Sequence, residues 1–279
     1  YITYFSLGSL SIVIFNYIDL FLIGYFLPSE FVGYYATALS IITGIGTMLS
    51  IQFIFFPIFA EINKNQLEKF LNLAIRVTNL VNIPAIFGLV VLRNQVVILF
   101  LGYDYLPTVI PLTILSFLLL EIGISSLLSS LFYARDLPKY PARTIAISSA
   151  ISIVLNITLI TLLIKIKPAY GLIGAAIATT TSKYINLILL AIYTKRYLNV
   201  QLHINKFYKP LIASLIMFAT LYLLPIKVEG YLGAIITVIT GGMIYSVVMF
   251  ITKGITLSEA NQIKESIMGF ISKNEKGTQ

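Results

Sequence analysis

The chain has no cysteine and a single histidine, His203. Disulfide stapling, thiol redox chemistry and a conventional zinc site are therefore excluded. Charge is equally scarce. Only 11% of the 279 residues are Asp, Glu, Lys or Arg, against 58% hydrophobic residues and a mean hydropathy of +0.93, too little charge to cover a water-soluble domain of this length. Catalytic motifs are missing too. There is no Gly-rich phosphate loop with its Lys, no nucleophile elbow, and no acidic pair in a loop that would hold a metal with a nucleotide-sugar. These gaps argue against ATP hydrolysis and against a membrane glycosyltransferase or ligase, and they imply no cofactor and no metal. The chain also lacks an initiator Met, a basic leader and a cleavage site before its first apolar run, opening directly on Tyr1, so it reads as a fragment.

What is present is long apolar text. Runs of about 20 residues, the length that crosses a bilayer, occur at 2–27, 31–60, 71–92, 108–133, 144–164, 171–193, 210–224 and 231–252. The expected fold is all-α and integral to the membrane, with about eight transmembrane helices. The turn Pro28-Ser-Glu30 makes the first two an antiparallel pair. The segment 93–107 is too short and interrupted to span and is expected at the interface, and Pro84 is expected to kink the third span. A capping-box spacing at Thr256–Glu259 and apolar positions Leu257, Ile263, Ile267, Phe270 and Ile271 predict an amphipathic surface helix in the tail. The formal charge of +8 lies between the apolar runs rather than in one patch, which excludes nucleic acid as a partner. If the spans alternate, fourteen basic residues between Lys64 and Lys276 collect on one side, whereas the other holds Arg93, Lys165, Lys167 and Lys227, and Lys183 stays inside the membrane. This imbalance predicts a cytoplasmic C-terminus and a cytoplasmic Tyr1.

Small and polar residues repeat along several spans. Ala36, Ser40 and Gly44 form a ridge suited to helix packing. Ser148, Ser152 and Asn156 suit interhelical hydrogen bonds or a wet face, and Gly171, Ala175 and Thr179 form a close-packing face that ends at Lys183. Thr113, Glu121, Ser125 and Ser129 share one helical face. Arg76, with Asn79 and Asn82, extends a polar ridge, or snorkels to headgroups. His203, in a polar loop, is expected to be solvated.

The chemically informative residues are Asp19, Glu121 and Lys183. A central Asp costs about +3 kcal/mol to insert, so such groups face a bundle interior or a wet cavity. Two readings follow. The three make a structural ion pair, for instance Lys183 with Glu121, in a membrane scaffold; or Lys183 and Arg76, with Asn16 and Asn156, bind an anionic substrate while Asp19 or Glu121 serves a coupling cation or proton.

Five stretches carry a resemblance: Asn16-Tyr-Ile-Asp19; Glu30-Phe-Val-Gly33-Tyr-Tyr-Ala36; Pro57-Ile-Phe-Ala-Glu61; Leu101-Gly-Tyr-Asp-Tyr105; and Tyr170-Gly-Leu-Ile-Gly-Ala-Ala-Ile-Ala-Thr179. In order and spacing they resemble the C-terminal part of polysaccharide-type lipid-linked oligosaccharide flippases of the multidrug/oligosaccharidyl-lipid/polysaccharide exporter superfamily. That resemblance implies two six-helix lobes around a central cavity, with residues 1–193 as the second lobe, 194–252 as two additional helices and 253–279 as a cytoplasmic tail. It further implies a lipid-linked sugar substrate moved across the cell membrane by alternating access, an ion such as H+ or Na+ as the drive, and a missing N-terminal lobe or a second copy as partner. A cation-coupled multidrug exporter of the same superfamily is the alternative within transport.

Overall fold

A computed structural model describes residues 15–203, 207–223 and 230–252. The tail 253–279, with its expected amphipathic helix, and the beginning of the first apolar run lie outside the described residues. Within them the chain is helical and without strands: α1 (Phe15–Phe26), α2 (Ser29–Met48), α3 (Gln52–Glu61), α4 (Lys64–Leu101), a 3-10 turn (Tyr103–Thr108), α5 (Val109–Leu115), α6 (Leu118–Ala134), α7 (Lys139–Ile164), α8 (Tyr170–Leu198), α9 (Tyr208–Leu223) and α10 (Gly230–Ile251). The all-α class and the multi-pass membrane reading hold. By length and composition, five helices can cross a membrane, or six if α5 and α6 count as one bent span. The described part of α1, together with α3 and α9, is shorter, so the expected count of about eight is not confirmed.

Three expected boundaries are corrected. The run 31–60 is not one helix, since α2 stops at Met48 and α3 begins at Gln52. The break swings Phe55 and Phe59 under α6, into a buried cluster with Leu127, Leu128 and Leu131, and Ser50 meets Ser126 of α6 across 3.3 Å. The run 108–133 bends by 49° between α5 and α6. There Ser116 Oγ donates to Thr113 O at 2.7 Å and Tyr184 Oη of α8 donates to Phe117 O at 2.9 Å, so backbone at membrane depth is satisfied by side chains. Finally, 93–107 is not a segment separate from the third span. Most of it continues α4, which runs 38 residues, about 57 Å, and ends only where Gly102 takes φ 89°, a conformation that other residues resist. Hydropathy cannot see such breaks, because the residues on both sides remain apolar.

The helix continues through Pro84 for a discernible reason. Proline has no N–H to offer the carbonyl four residues back, here Leu80 O, and Tyr245 Oη of α10 donates to that carbonyl at 2.9 Å. Tyr231 Oη makes the matching bond to Leu99 O near the end of α4, so α10 is stitched to α4 at two carbonyls without intrahelical partners. On the other side α7 and α8 form a tight hairpin. A Cβ on Gly174 would stand 2.7 Å from Leu159 O of α7, so only glycine permits this approach.

Two apolar clusters fill the bundle, one around Ile23, Tyr35, Leu112, Leu119 and Ala175, the other around Phe59, Leu71, Leu127, Leu131 and Leu190. Between them, on three helices at once, the buried residues turn polar: Thr78, Asn79 and Asn82 on α4, Glu121 on α6, Thr179, Ser182 and Asn186 on α8. A polar layer therefore crosses the interior at mid-bundle. His203 remains exposed, yet it is held: its N–H donates to Asn72 Oδ1 at 2.8 Å and its Nδ1 lies 3.9 Å from Glu68.

Candidate functional site

The polar layer opens into a groove of about 410 Å³ bounded by α1, α2, α6 and α8. Of the six residues singled out above, four line it: Asn16, Asp19, Glu121 and Lys183. The other two do not. Asn156 is fully buried and donates its amide to Ser152 O and Oγ of its own helix. Its Oδ1 and Ser148 Oγ have no hydrogen-bond partner. The Ser148–Asn156 stripe is thus closed off against α8, neither a wet face nor a set of interhelical bonds among the described contacts. Arg76 is half-buried on α4 and is not part of the groove wall.

Asp19 is 2% exposed and held on both oxygens. Tyr35 Oη of α2 and Thr179 Oγ1 of α8 both donate to its Oδ2, at 2.9 and 3.0 Å, and the two hydroxyls are 3.0 Å apart. The other oxygen accepts the Leu20 N–H at 2.9 Å. One carboxylate therefore ties three helices together. Glu121, 4% exposed, accepts Ser125 Oγ at 2.7 Å and faces the Asn186 amide. Lys183 lies on the Thr179 face of α8, one turn further on. Its Nζ donates to Asn16 Oδ1 at 2.8 Å and stands 3.9 Å above the Phe15 ring. The ion pair of Lys183 with Glu121 is not formed among the described residues. Instead, the cation and the two acids face one another across the groove, each anchored by a neutral partner.

The facing wall belongs to α2. Ala36, Leu39, Ser40, Thr43 and Thr47 line the groove, and Ser40, Thr43 and Thr47 are exposed. The ridge read as a packing surface thus presents hydroxyls to open space, and a Cβ on Gly44 would touch nothing. Tyr17, 59% exposed, completes the rim. Sequence reading missed Tyr17, Tyr35 and this row of hydroxyls. Their spacing at i, i+3 and i+7 was visible, but a row of small residues on a span looks the same whether it meets a helix or water. Among the described residues, no three His, Asp or Glu side chains form a metal cluster.

An all-helical, multi-pass membrane bundle with a charged groove opening from its buried polar layer is a transporter-like architecture, and comparison with known proteins narrows it. Residues 1–111 match a protein family described as "Polysaccharide biosynthesis protein". The chain is 27% identical over 236 residues to the "Probable low-salt glycan biosynthesis flippase Agl15" of Haloferax volcanii, covering 80% of this chain and 47% of that protein. It shares its fold with the lipid II flippase MurJ in an inward closed conformation, with a TM-score of 0.74, 22% identity, and coverage of 87% of this chain and 52% of the other. The likeness to polysaccharide-type flippases of the exporter superfamily, read from the motifs, therefore holds. The chain spans about half the length of the relatives it matches.

Proposed function

We propose that this chain forms one lobe of a transporter that carries a sugar linked to polyprenyl phosphate or pyrophosphate from the cytoplasmic to the outer leaflet of the cell membrane by alternating access. The observation that carries this reading is the groove itself: a lysine and two carboxylates meet beside a row of hydroxyls, inside a bundle whose outer faces are apolar. Moving a headgroup needs such a wet, charged path next to a greasy one, because the phosphate requires charge-assisted contacts while its tail stays in the bilayer. In this scheme Lys183 and Asn16 take the phosphate. Tyr17, Ser40, Thr43 and Thr47 contact the sugar, and Asp19 or Glu121 exchanges a proton or Na+ with the gradient. Residues 1–193 make the six-helix lobe and 194–252 the two added helices, with the tail at 253–279 and the C-terminus in the cytoplasm. A first lobe or a second copy completes the path beside the exposed hydroxyls of α2. The relatives that the chain matches are named as flippases, which supports assigning it to transport rather than enzymology.

Replacing Lys183 by Met tests the assignment. With normal membrane insertion, K183M is expected to abolish glycan export; unchanged export would remove Lys183 from the mechanism. A loss of folded protein equal to the loss of export would instead favour the scaffold reading. Binding of a lipid-linked sugar in preference to organic cations separates this function from a multidrug exporter, for which the two carboxylates would be the recognition groups.

A further inference from the structure

A second groove, of about 270 Å³, lies on the far side of α4, where α9 and α10 pack against it. Its walls are Val90, Arg93, Asn94 and Gln95 of α4, Phe218 and Tyr222 of α9, and Thr237 of α10. We propose that this groove holds a bilayer phospholipid, its phosphate bound by Arg93.

Three observations support that occupant. Arg93 is half-buried in the groove, and among the described residues its one hydrogen bond is a long 3.3 Å donation to Val90 O of its own helix, with no ion pair to a carboxylate. A guanidinium has five N–H donors in a planar fork that suits a phosphate bidentately, so the described residues leave most of that fork for a ligand. Secondly, Arg93 is kept half-buried between helices rather than in an exposed loop, and a cation held there calls for an anion. Thirdly, the surroundings match a lipid from head to tail. Asn94 and Gln95 offer amide donors beside the guanidinium, while the ring of Phe218 stacks on Tyr222 at 5.9 Å. Next to the groove, Leu223, Val238 and Ile239 are 75%, 58% and 49% exposed, an apolar border on which acyl chains can lie. A planar cation for the phosphate beside an apolar border for the tails is the pairing that a phospholipid needs. The proposal depends on the membrane setting and not on the transport reading.

The test is native mass spectrometry of the purified chain in detergent, titrated with phosphatidylglycerol. The expected result is one retained lipid on the wild type, with affinity lowered about tenfold in R93Q and by a smaller factor in R93K, which keeps the charge but loses the fork. Excess inorganic phosphate should leave the lipid bound. Retention unchanged in both variants would overturn the proposal, as would displacement of the lipid by inorganic phosphate, which would mark a site for the free anion. If R93Q does not purify, R93K against wild type decides alone.

Discussion

Asp19 shows what a single side chain can contribute inside a membrane. An acid at this depth is expensive, and it is kept because Tyr35 and Thr179 donate to it from two other helices. Hydrogen bonds between membrane helices contribute about 0.6 kcal/mol on average and about 1.7 kcal/mol at most. Tyr35→Phe and Thr179→Val are therefore each expected to lower stability by about 1 kcal/mol, read as a fall in unfolding midpoint in detergent. Because both donors meet at one oxygen, the double variant should deviate from additivity by at least about 0.5 kcal/mol. Strict additivity would mean that the three groups do not act together.

The helices owe their arrangement to backbone groups as much as to apolar faces. In α4, Pro84 frees Leu80 O and Tyr245 of α10 takes it. Tyr245→Phe should cost about 1 kcal/mol, since it strands a carbonyl in hydrocarbon. In a Pro84→Ala background the restored N–H satisfies that carbonyl, so the same Tyr245→Phe change should then cost close to nothing. An equal cost in both backgrounds would detach the tyrosine from the proline. Close approach is the second device. Gly174→Ala would drive its methyl into Leu159 O, and overpacking of this kind costs about 1–3 kcal/mol. Gly44→Ala, with nothing within 4 Å of the added carbon, should leave the unfolding midpoint unchanged. The pair of glycines thus separates a packing ridge from a groove wall on helices whose sequences look alike.

Across the whole bundle, the open groove makes a prediction that the cysteine-free sequence lets one test cleanly. A single cysteine at Ser40, Thr43 or Thr47 should react with a membrane-impermeant maleimide in at least one transport state, whereas one at Val154, exposed on α7 away from the groove, should not. Reaction at Val154 alone would place water on the wrong face. Much of this architecture was legible in the text of the chain. Long apolar runs and scarce charge compel a multi-pass helical fold, since only helices or closed barrels satisfy the backbone in lipid, and the costly residues Asp19, Glu121 and Lys183 stood out for the same reason. The breaks at Leu49–Ile51 and Ser116–Phe117 were not legible, because serine and tyrosine hydroxyls from distant helices make those turns tolerable. Nor was it legible that Asn16 would join the groove while Arg76 and Asn156 would not, or that Ser40, Thr43 and Thr47 would face open space. What the sequence determined alone was the solvent, bilayer rather than water, and the price of each buried charge, for both depend on composition and local hydropathy. Which polar groups meet was decided only when helices far apart in the chain packed, because a hydrogen bond between Asp19 and Thr179 depends on a distance that no local pattern contains.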